Sequence, residues 1–334
     1  MNNMKNSLQH LNPKIFDKDV EKVPIRKGFG EGLVLVGEKD SRVVGLCADL
    51  TESTQMHLFR EKFPERFIEI GVAEQNLASV ASGLSAMGKV PFITSYAMFS
   101  PGRNWEQIRT TICYNNRQVI IAGSHAGISV GPDGGTHQAI EDIALTRVIP
   151  NMTVLSPCDH IEARKATIAS VSLGSPVYIR LAREKTPVIT SAESPFEIGK
   201  ANLLYGTEDV KADVGIIATG ALVHKALLVA ETLKKEKISV KVLNVHTIKP
   251  LDVDAVLTLA KDCGAIVTVE EHQIAGGLGG VVSECLSSLY PTPIEFIGVH
   301  NQFGQSGTPD ELIEYYGMGE FSIANAVRVV LKRK

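Results

Sequence analysis

The sequence has few cysteines, no long apolar run and no recognisable export signal. The five cysteines are scattered and odd in number, with no Cys-x-x-Cys pair, so the sequence predicts reduced thiols rather than a disulfide framework or a zinc site. Every apolar stretch is broken by charge or glycine well before the roughly 20 residues needed to span a bilayer, so no membrane association is expected. The N-terminal segment contains a lysine but lacks the apolar core of a signal peptide. These absences favour a cytoplasmic protein.

The sequence also lacks a strong net charge. A formal charge of -3 and a pI near 6.3 provide no general positive field, so nucleic-acid binding is not expected. A length of 334 residues exceeds the roughly 250 residues at which single cores stop growing, and therefore predicts two domains. The hydrophobic content of 44% is typical of a globular protein.

Short β-rich runs alternate with longer segments of helical periodicity, which predicts an α/β fold with two doubly wound parallel sheets. In the first part, strands are predicted at residues 42–48, 66–70, 89–94, 118–122, 153–155 and 177–181, with helices at 73–87, 105–114, 139–148 and 161–171. In the second part, strands are predicted at 213–218, 239–245 and 265–270, and helices at 221–234, from about 276–280 onward, and at 321–331. The predicted division is a leader at 1–23, a first domain at 24–184, an exposed linker at 185–197 and a smaller second domain at 198–334.

Residues just past the carboxyl ends of parallel strands face a sheet's binding crevice, and two segments place notable residues there. Glu74 follows a strand through Gly71 and opens a helix, where the alternative is a solvated glutamate favoured by the helix dipole. Tyr96 and Phe99 follow another strand and could stack on a flat heterocycle, although such aromatics also occur in cores.

A third segment, residues 124–138, is rich in glycine and small residues and carries His125, Asp133 and His137. Core packing does not require this density of titratable groups, which favours a functional loop. The alternatives are surface histidines or a metal site, for which the segment offers no obvious third ligand. The glycines at 276–280 could cradle a phosphate, but without a G-x-G-x-x-G spacing they indicate close helix packing instead.

In this order and spacing, the segments resemble the thiamine-diphosphate-dependent transketolase family, specifically its pyrimidine-binding domain followed by its C-terminal domain. Residues 47–53, Cys-Ala-Asp-Leu-Thr-Glu-Ser, resemble the family's Ser-Ala-Asp-Leu-Thr-x-Ser segment. Residues 71–75, Gly-Val-Ala-Glu-Gln, resemble its catalytic glutamate motif, and residues 133–138, Asp-Gly-Gly-Thr-His-Gln, resemble its Asp-Gly-Pro-Thr-His-Gln loop. The resemblance extends over nearly the whole chain from Arg26 onward.

The resemblance implies roles at the cofactor. The family's glutamate, here Glu74, hydrogen-bonds the pyrimidine ring and promotes loss of the thiazolium proton, so Glu74 is expected to be catalytic. Tyr96 and Phe99 match aromatic residues that pack on the pyrimidine. Asp49 and Leu50 match residues that line the cofactor site at a subunit interface.

The resemblance also implies a sugar-phosphate site. Arg26, Ser53, His125 and Arg183 match phosphate-binding positions, which suits a dianion because three of them are cations or potential cations. Asp133 matches a residue that contacts a sugar hydroxyl. His137 matches a residue beside the reacting carbonyl oxygen, so His125 and His137 join Glu74 among the expected catalytic residues.

The resemblance leaves other functions open. Ala73 and Gly135 stand where sugar-transferring members have arginine and proline. The Val-Ala-Glu-Gln form is also similar to 1-deoxyxylulose-5-phosphate synthase and to the beta subunits of 2-oxo acid dehydrogenases. A non-catalytic scaffold paralogue is a further alternative, against which the presence of Glu74, His125, Asp133 and His137 together argues.

Full-length family members bind the diphosphate and magnesium through a Gly-Asp-Gly motif, and this sequence contains none. The resemblance therefore implies the C-terminal subunit of a split transketolase. We expect thiamine diphosphate and Mg²⁺ as cofactors, with the magnesium held by a separate diphosphate-binding subunit. We also expect self-association into a dimer, a heterotetramer with the partner and sugar phosphates of the pentose phosphate pathway as substrates. No metal ligand is predicted on this chain.

Overall fold

A computed structural model describes residues 10–208 and 210–334. In chain order its strands are β1 Lys22–Pro24, β2 Val43–Cys47, β3 Phe67–Glu69, β4 Val90–Tyr96, β5 Ile120–Ser124, β6 Thr153–Leu155, β7 Val177–Arg180, β8 Lys185–Pro187, β9 Asn202–Tyr205, β10 Val214–Ala218, β11 Val240–Asn244, β12 Thr247–Lys249, β13 Ile266–Gln273 and β14 Ile294–Val299. Its α-helices are α1 Ile25–Lys39, α2 His57–Lys62, α3 Glu74–Ala86, α4 Trp105–Gln107, α5 Asp142–Arg147, α6 His160–Ser170, α7 Val223–Lys235, α8 Val253–Cys263, α9 Leu278–Leu289, α10 Pro309–Tyr315 and α11 Glu320–Leu331. The helix α4 continues as the π-helical segment Ile108–Cys113, and 3₁₀ segments cover Pro64–Arg66, Ile128–Asp133 and Gly220–Leu222.

Two sheets carry the fold, and both consist mainly of parallel strands. The first has the order β12-β6-β7-β5-β4-β2-β3, and only β12 runs antiparallel to its neighbour. The second has the order β14-β13-β10-β11-β9, with β9 antiparallel at one edge. The predicted α/β class with parallel sheets is confirmed.

Apolar helix faces cover both sides of each sheet. On one side of the first sheet, α1 and α6 pack together through Phe29, Leu33 and Ala163. On its other side, a continuous cluster joins Leu77 of α3 to Leu259 of α8 in the second half of the chain. The two halves therefore share a buried apolar core. Strand β12 reinforces this contact because it comes from the second half and extends the first sheet.

The predicted helix at 139–148 is shorter than expected, since α5 begins only at Asp142. Residues 139 and 140 instead accept backbone hydrogen bonds from other segments. The Gly127 amide donates to the Ala139 carbonyl, and the Gln273 amide donates to the Ile140 carbonyl. Tertiary hydrogen bonds here replace the first turn that helical periodicity predicts.

Part of the segment predicted to be an exposed linker, 185–197, is buried, and the described part of the leader is packed against the core. Strands β1 and β8 pair antiparallel. The buried Asp159 carboxylate accepts hydrogen bonds from the amides of Ile189 at 2.8 Å and Thr190 at 2.6 Å. Leu11 and Ile15 of the leader are buried in the core of the second half. In the part of the chain that the structure describes, no helix has the length and apolar character needed to cross a membrane.

Candidate functional site

The carboxyl ends of the parallel strands gather the sequence-predicted residues at one edge of the first sheet. Asp49 follows β2, Tyr96 ends β4, His125 follows β5, and Arg183 lies three residues beyond β7. Strand β3 leads through a turn to Glu74, which begins α3. Because parallel strands end on the same side of a sheet, residues far apart in sequence converge there.

Glu74 lies at the base of this edge with a side chain only 1% exposed. The turn before it depends on Gly71, whose φ of +77° is readily adopted by glycine. Arg103 Nη1 donates to Glu74 Oε2 at 2.6 Å, and Asn104 Nδ2 donates to the Glu74 carbonyl at 3.0 Å. The Arg103 side chain is itself half-exposed. The buried Glu74 carboxylate is therefore covered by a long side chain that reaches solvent.

An aromatic surface lies next to this ion pair. Tyr96 and Phe99 are stacked with ring centroids 6.1 Å apart, and His125 stacks on Tyr96 at 3.8 Å. His137 meets the Phe99 ring edge-on at 5.5 Å. The Arg103 guanidinium lies over the Phe99 ring, 5.1 Å from its centroid. The predicted aromatic pair is thus adjacent to both loop histidines.

His125 occupies a left-handed backbone conformation with φ +56°, and its Nδ1 shares a 2.9 Å hydrogen bond with Ser124 Oγ. Burial, followed by the charges of Arg26, Arg183 and His137, lowers the pKa of His125 to about 3. At neutral pH the ring is therefore uncharged. It can donate or accept a hydrogen bond but does not add a third cation beside the two arginines.

Arg26 and Arg183 supply the positive charge of the site. Arg26 lies in the first turn of α1, and its Nε and Nη1 atoms are buried without a hydrogen-bond partner in the structure. Burial lowers the pKa of Arg26, and the neighbouring Glu184 opposes this shift. Arg183 Nη1 donates to the Val130 carbonyl at 2.5 Å and lies 3.7 Å from Asp133 Oδ1. The unpartnered guanidinium atoms of Arg26 form an incomplete anion site.

The loop after β2 lies apart from these contacts. The Asp49 amide donates to Glu69 Oε1 at 2.8 Å, and the Gly71 amide donates to the same oxygen at 2.9 Å. Glu69 thereby ties this loop to the turn before α3, a role that the sequence reasoning missed. Among the described residues, no hydrogen bond or ring contact joins Asp49, Leu50 or Ser53 to the aromatic and histidine cluster.

A cavity of about 550 Å³ opens beside Glu74 and includes Gln75, Arg103 and Gln107 in its lining. A larger cavity of about 750 Å³ lies between the leader, α7 and α10 and contains none of the predicted site residues. The buried carboxyl group and the aromatic face fit the aminopyrimidine end of thiamine diphosphate, and the unpartnered Arg26 atoms fit an anion. Residues 10–208 and 210–334 contain no cluster of three or more His, Cys, Asp or Glu side chains suited to a metal ion.

Two family models match the chain: the transketolase pyrimidine-binding domain at residues 21–188 and the transketolase C-terminal domain at residues 203–323. The chain is 40% identical to the 6-deoxy-6-sulfo-D-fructose transketolase subunit SqwH of a Clostridium species, over 96% of this chain and 98% of that protein. It is 35% identical to human transketolase over 94% of this chain but only 50% of that protein. A solved split-gene transketolase, described as an inactive beta4 tetramer, is similar with a TM-score of 0.86 and 41% identity, covering 93% of this chain and 99% of that one.

Proposed function

Because the chain belongs to the transketolase family and is similar along its length to split-gene subunits, we propose that it is the pyrimidine-binding subunit of a two-chain transketolase. The reaction proposed is transfer of a two-carbon ketol unit from a ketose phosphate to an aldose phosphate. The observation that carries this proposal is the buried Glu74 beside the Tyr96–Phe99 stack, at the edge where His125 and Arg183 also lie.

The chemistry belongs to thiamine diphosphate, which supplies a nucleophilic thiazolium carbon when bound. Glu74 would hold a proton and donate it to the pyrimidine ring nitrogen, and Tyr96 and Phe99 would pack on that ring. Asp49 and Leu50 would line the same site. The buried position of Glu74 suits this role because it keeps bulk water from competing for the proton.

The remaining residues would bind the sugar phosphate. Arg26 and Arg183 offer charge-assisted hydrogen bonds to a phosphate dianion, and Ser53 would add a hydroxyl. Asp133 would accept from a sugar hydroxyl. The neutral His125 would donate a hydrogen bond to the phosphate, and His137 would hydrogen-bond the reacting carbonyl oxygen.

The proposed assembly pairs this chain with a subunit that binds the diphosphate and Mg²⁺, two copies of each, in the cytoplasm. Two observations support a partner subunit: the chain matches 98% of a protein described as a transketolase subunit, and the similar split-gene chain is described as an inactive beta4 tetramer. We also propose the domain division 24–184 and 198–334, joined through 185–197.

The decisive assay mixes the purified chain with a subunit bearing the Gly-Asp-Gly motif and measures ketol transfer from xylulose 5-phosphate to ribose 5-phosphate. We expect transfer only in the mixture. Carbon dioxide release from a 2-oxo acid would instead identify a 2-oxo acid dehydrogenase beta subunit. If no copurifying subunit yields turnover, the scaffold alternative gains support.

Arg26→Met should raise the KM for phosphorylated sugars roughly tenfold or more, because it removes a charge-assisted bond to phosphate. Hydroxypyruvate carries no phosphate, so its KM should change little. Steady-state kinetics on both donors measure the difference. Lys27→Met, on the exposed side of the same helix turn, is the matched control. An equal loss on both donors would place Arg26 at the reacting carbons.

Arg103→Met should tighten cofactor binding to the assembled enzyme roughly threefold or more. The Arg103 guanidinium bonds Glu74 and covers Phe99, the two groups proposed to receive the pyrimidine, so it must leave before the ring can bind. Tryptophan or cofactor fluorescence titration measures the affinity. Arg109→Met carries the same charge change at an exposed position of the adjoining π-helical segment. Weaker binding in Arg103→Met would mean that Arg103 contacts the cofactor directly.

A further inference from the structure

Two adjacent buried glutamates near the end of β13 bind different parts of the chain. Glu270 accepts hydrogen bonds from the amides of Leu278 at 2.7 Å and Gly279 at 2.8 Å, at the start of α9. Glu271 instead accepts from the amide of Ser129 at 2.5 Å, in the loop that carries His125, Asp133 and His137. Glu270 therefore caps a helix within the second half of the chain, whereas Glu271 contacts the loop of the first half that carries residues of the proposed substrate site.

The contact between Glu271 and the loop is closely fitted. Gly127 has a φ of +90°, and a Cβ atom there would collide with the Glu271 carboxylate. The loop is also held farther along, where Gln138 Nε2 donates to the Gln305 carbonyl at 3.0 Å. The second half of the chain thus fixes this loop at two points.

The backbone of Glu271 is itself fixed by a buried ion pair. Arg180 Nη2 donates to the Glu271 carbonyl at 2.8 Å, and Arg180 Nε donates to Asp142 Oδ2 at 2.9 Å. Both ionic side chains are buried, so this arrangement leaves Glu271 little freedom to move.

The fixed loop also contacts Arg183, which is a proposed phosphate-binding residue. The Ser129 amide donates to Glu271 Oε1, and the carbonyl of the following residue, Val130, accepts from Arg183 Nη1 at 2.5 Å. Two adjacent loop residues therefore connect a carboxylate of the second half to the guanidinium at the site. Displacing the Ser129 amide would also displace the Val130 carbonyl, which orients the Arg183 guanidinium.

We propose that Glu271 is a positioning residue through which the transketolase C-terminal domain sets substrate affinity. Glu271 holds the loop segment of Ser129 and Val130 in place and thereby orients Arg183 toward the phosphate of the sugar. This inference rests on the proposed function, because Arg183 must bind the substrate for its orientation to matter. It assigns the C-terminal domain a part in substrate recognition that acts through the loop and Arg183.

The test compares Glu271→Ala and Glu271→Gln with the matched control Glu270→Gln, each in the two-chain enzyme. We expect Glu271→Ala to raise the KM for a phosphorylated acceptor roughly tenfold, because it removes a charge-assisted bond that orders the loop. Glu271→Gln keeps an acceptor oxygen and should recover part of that loss. The cofactor dissociation constant should stay within about twofold of the unmodified value, since Glu74 lies on a different element.

A purely structural role predicts another pattern. Glu270→Gln should lower the melting temperature without raising KM, and Glu271→Ala would then behave in the same way. An unchanged KM in Glu271→Ala, or equal loss of cofactor and substrate affinity, would overturn the positioning role.

Hydrogen exchange at the Ser129 amide tests the contact independently of turnover, in the isolated full-length chain. We expect faster exchange in Glu271→Gln than in the unmodified chain, with no such change in Glu270→Gln. Equal exchange rates would overturn the inference even where Glu271→Ala fails to fold. Absence of ketol transfer by the unmodified two-chain enzyme would overturn the proposed function, and the exchange result would still report on the loop contact by itself.

Discussion

Glu74→Gln is expected to reduce ketol transfer by the two-chain enzyme by about a hundredfold or more. An amide has the shape of the carboxyl group and can still hydrogen-bond a ring nitrogen. Its N–H protons are too weakly acidic to be transferred, however, so the variant lacks the proton that Glu74 would give to the pyrimidine ring nitrogen. Burial sharpens the effect because water has little access to replace the lost group.

The fold should survive this change. Glu74 pairs with an Arg103 side chain that is half-exposed, so loss of the ion pair should cost about 1 kcal/mol or less, and the melting temperature should move by a few degrees at most. Thermal denaturation followed by circular dichroism checks this. Glu106→Gln, an exposed glutamate of the next helix, controls for the charge change. Near-normal turnover by Glu74→Gln would remove the basis of the site assignment.

The strands that place this site could be predicted because they are short, apolar and rich in β-branched residues. Strand β2 is buried at every position, as a strand with both faces covered should be. The residues that follow such strands stand out because a turn brings glycine and polar groups after an apolar run. Tyr96 and His125 could therefore be placed at one edge of the sheet before their contact was known.

Helix α1 could not be predicted from local preference. Its sequence contains Gly28, Gly30, Gly32 and Gly37, each of which disfavours an isolated helix by about 1 kcal/mol relative to alanine. Tertiary packing explains why glycine stands at two of these positions, because α6 lies so close that a Cβ at Gly28 or Gly32 would collide with it. Gly28 and Gly32 weaken the helix pattern and also allow the two helices to touch, which only the folded chain reveals.

Two contacts of the site could not be predicted either, because they too depend on tertiary packing. Arg103 and Glu74 are 29 residues apart, and Glu271 and Ser129 are 142 apart. A buried glutamate in a strand does suggest that some partner must exist, since an unpaired buried charge is costly. Its partner depends on how the two halves pack, which no local pattern specifies.

The second large effect concerns the partner subunit. We expect the chain alone to show no ketol transfer and only feeble, magnesium-dependent binding of thiamine diphosphate, with both restored by the diphosphate-binding subunit. The proposed pyrimidine site on this chain offers one carboxyl group and two aromatic rings, whereas the diphosphate and its magnesium carry most of the charge available for binding. A site that contacts only the pyrimidine end makes no contact with the diphosphate or its magnesium and should therefore bind the cofactor weakly.

The surface around Glu74 supports this expectation. Val72 is 70% exposed two residues before Glu74, and the cavity beside the carboxyl group is open to solvent through Arg103. The proposed pyrimidine site is therefore open to solvent in the isolated chain. The inactive beta4 assembly of the similar split-gene chain supports self-association without activity.

Calorimetric titration with thiamine diphosphate and Mg²⁺ measures this dependence, first on the isolated chain and then on the mixture. A gain of at least a hundredfold in affinity with the partner, about 2.7 kcal/mol, would show that the diphosphate end dominates binding. A mixture containing Glu74→Gln separates the two contributions, since the partner's grip on the diphosphate remains while the pyrimidine contact is weakened. Tight, magnesium-dependent binding by the purified chain alone would refute the two-chain enzyme, because this polypeptide would then hold the whole cofactor without a second subunit.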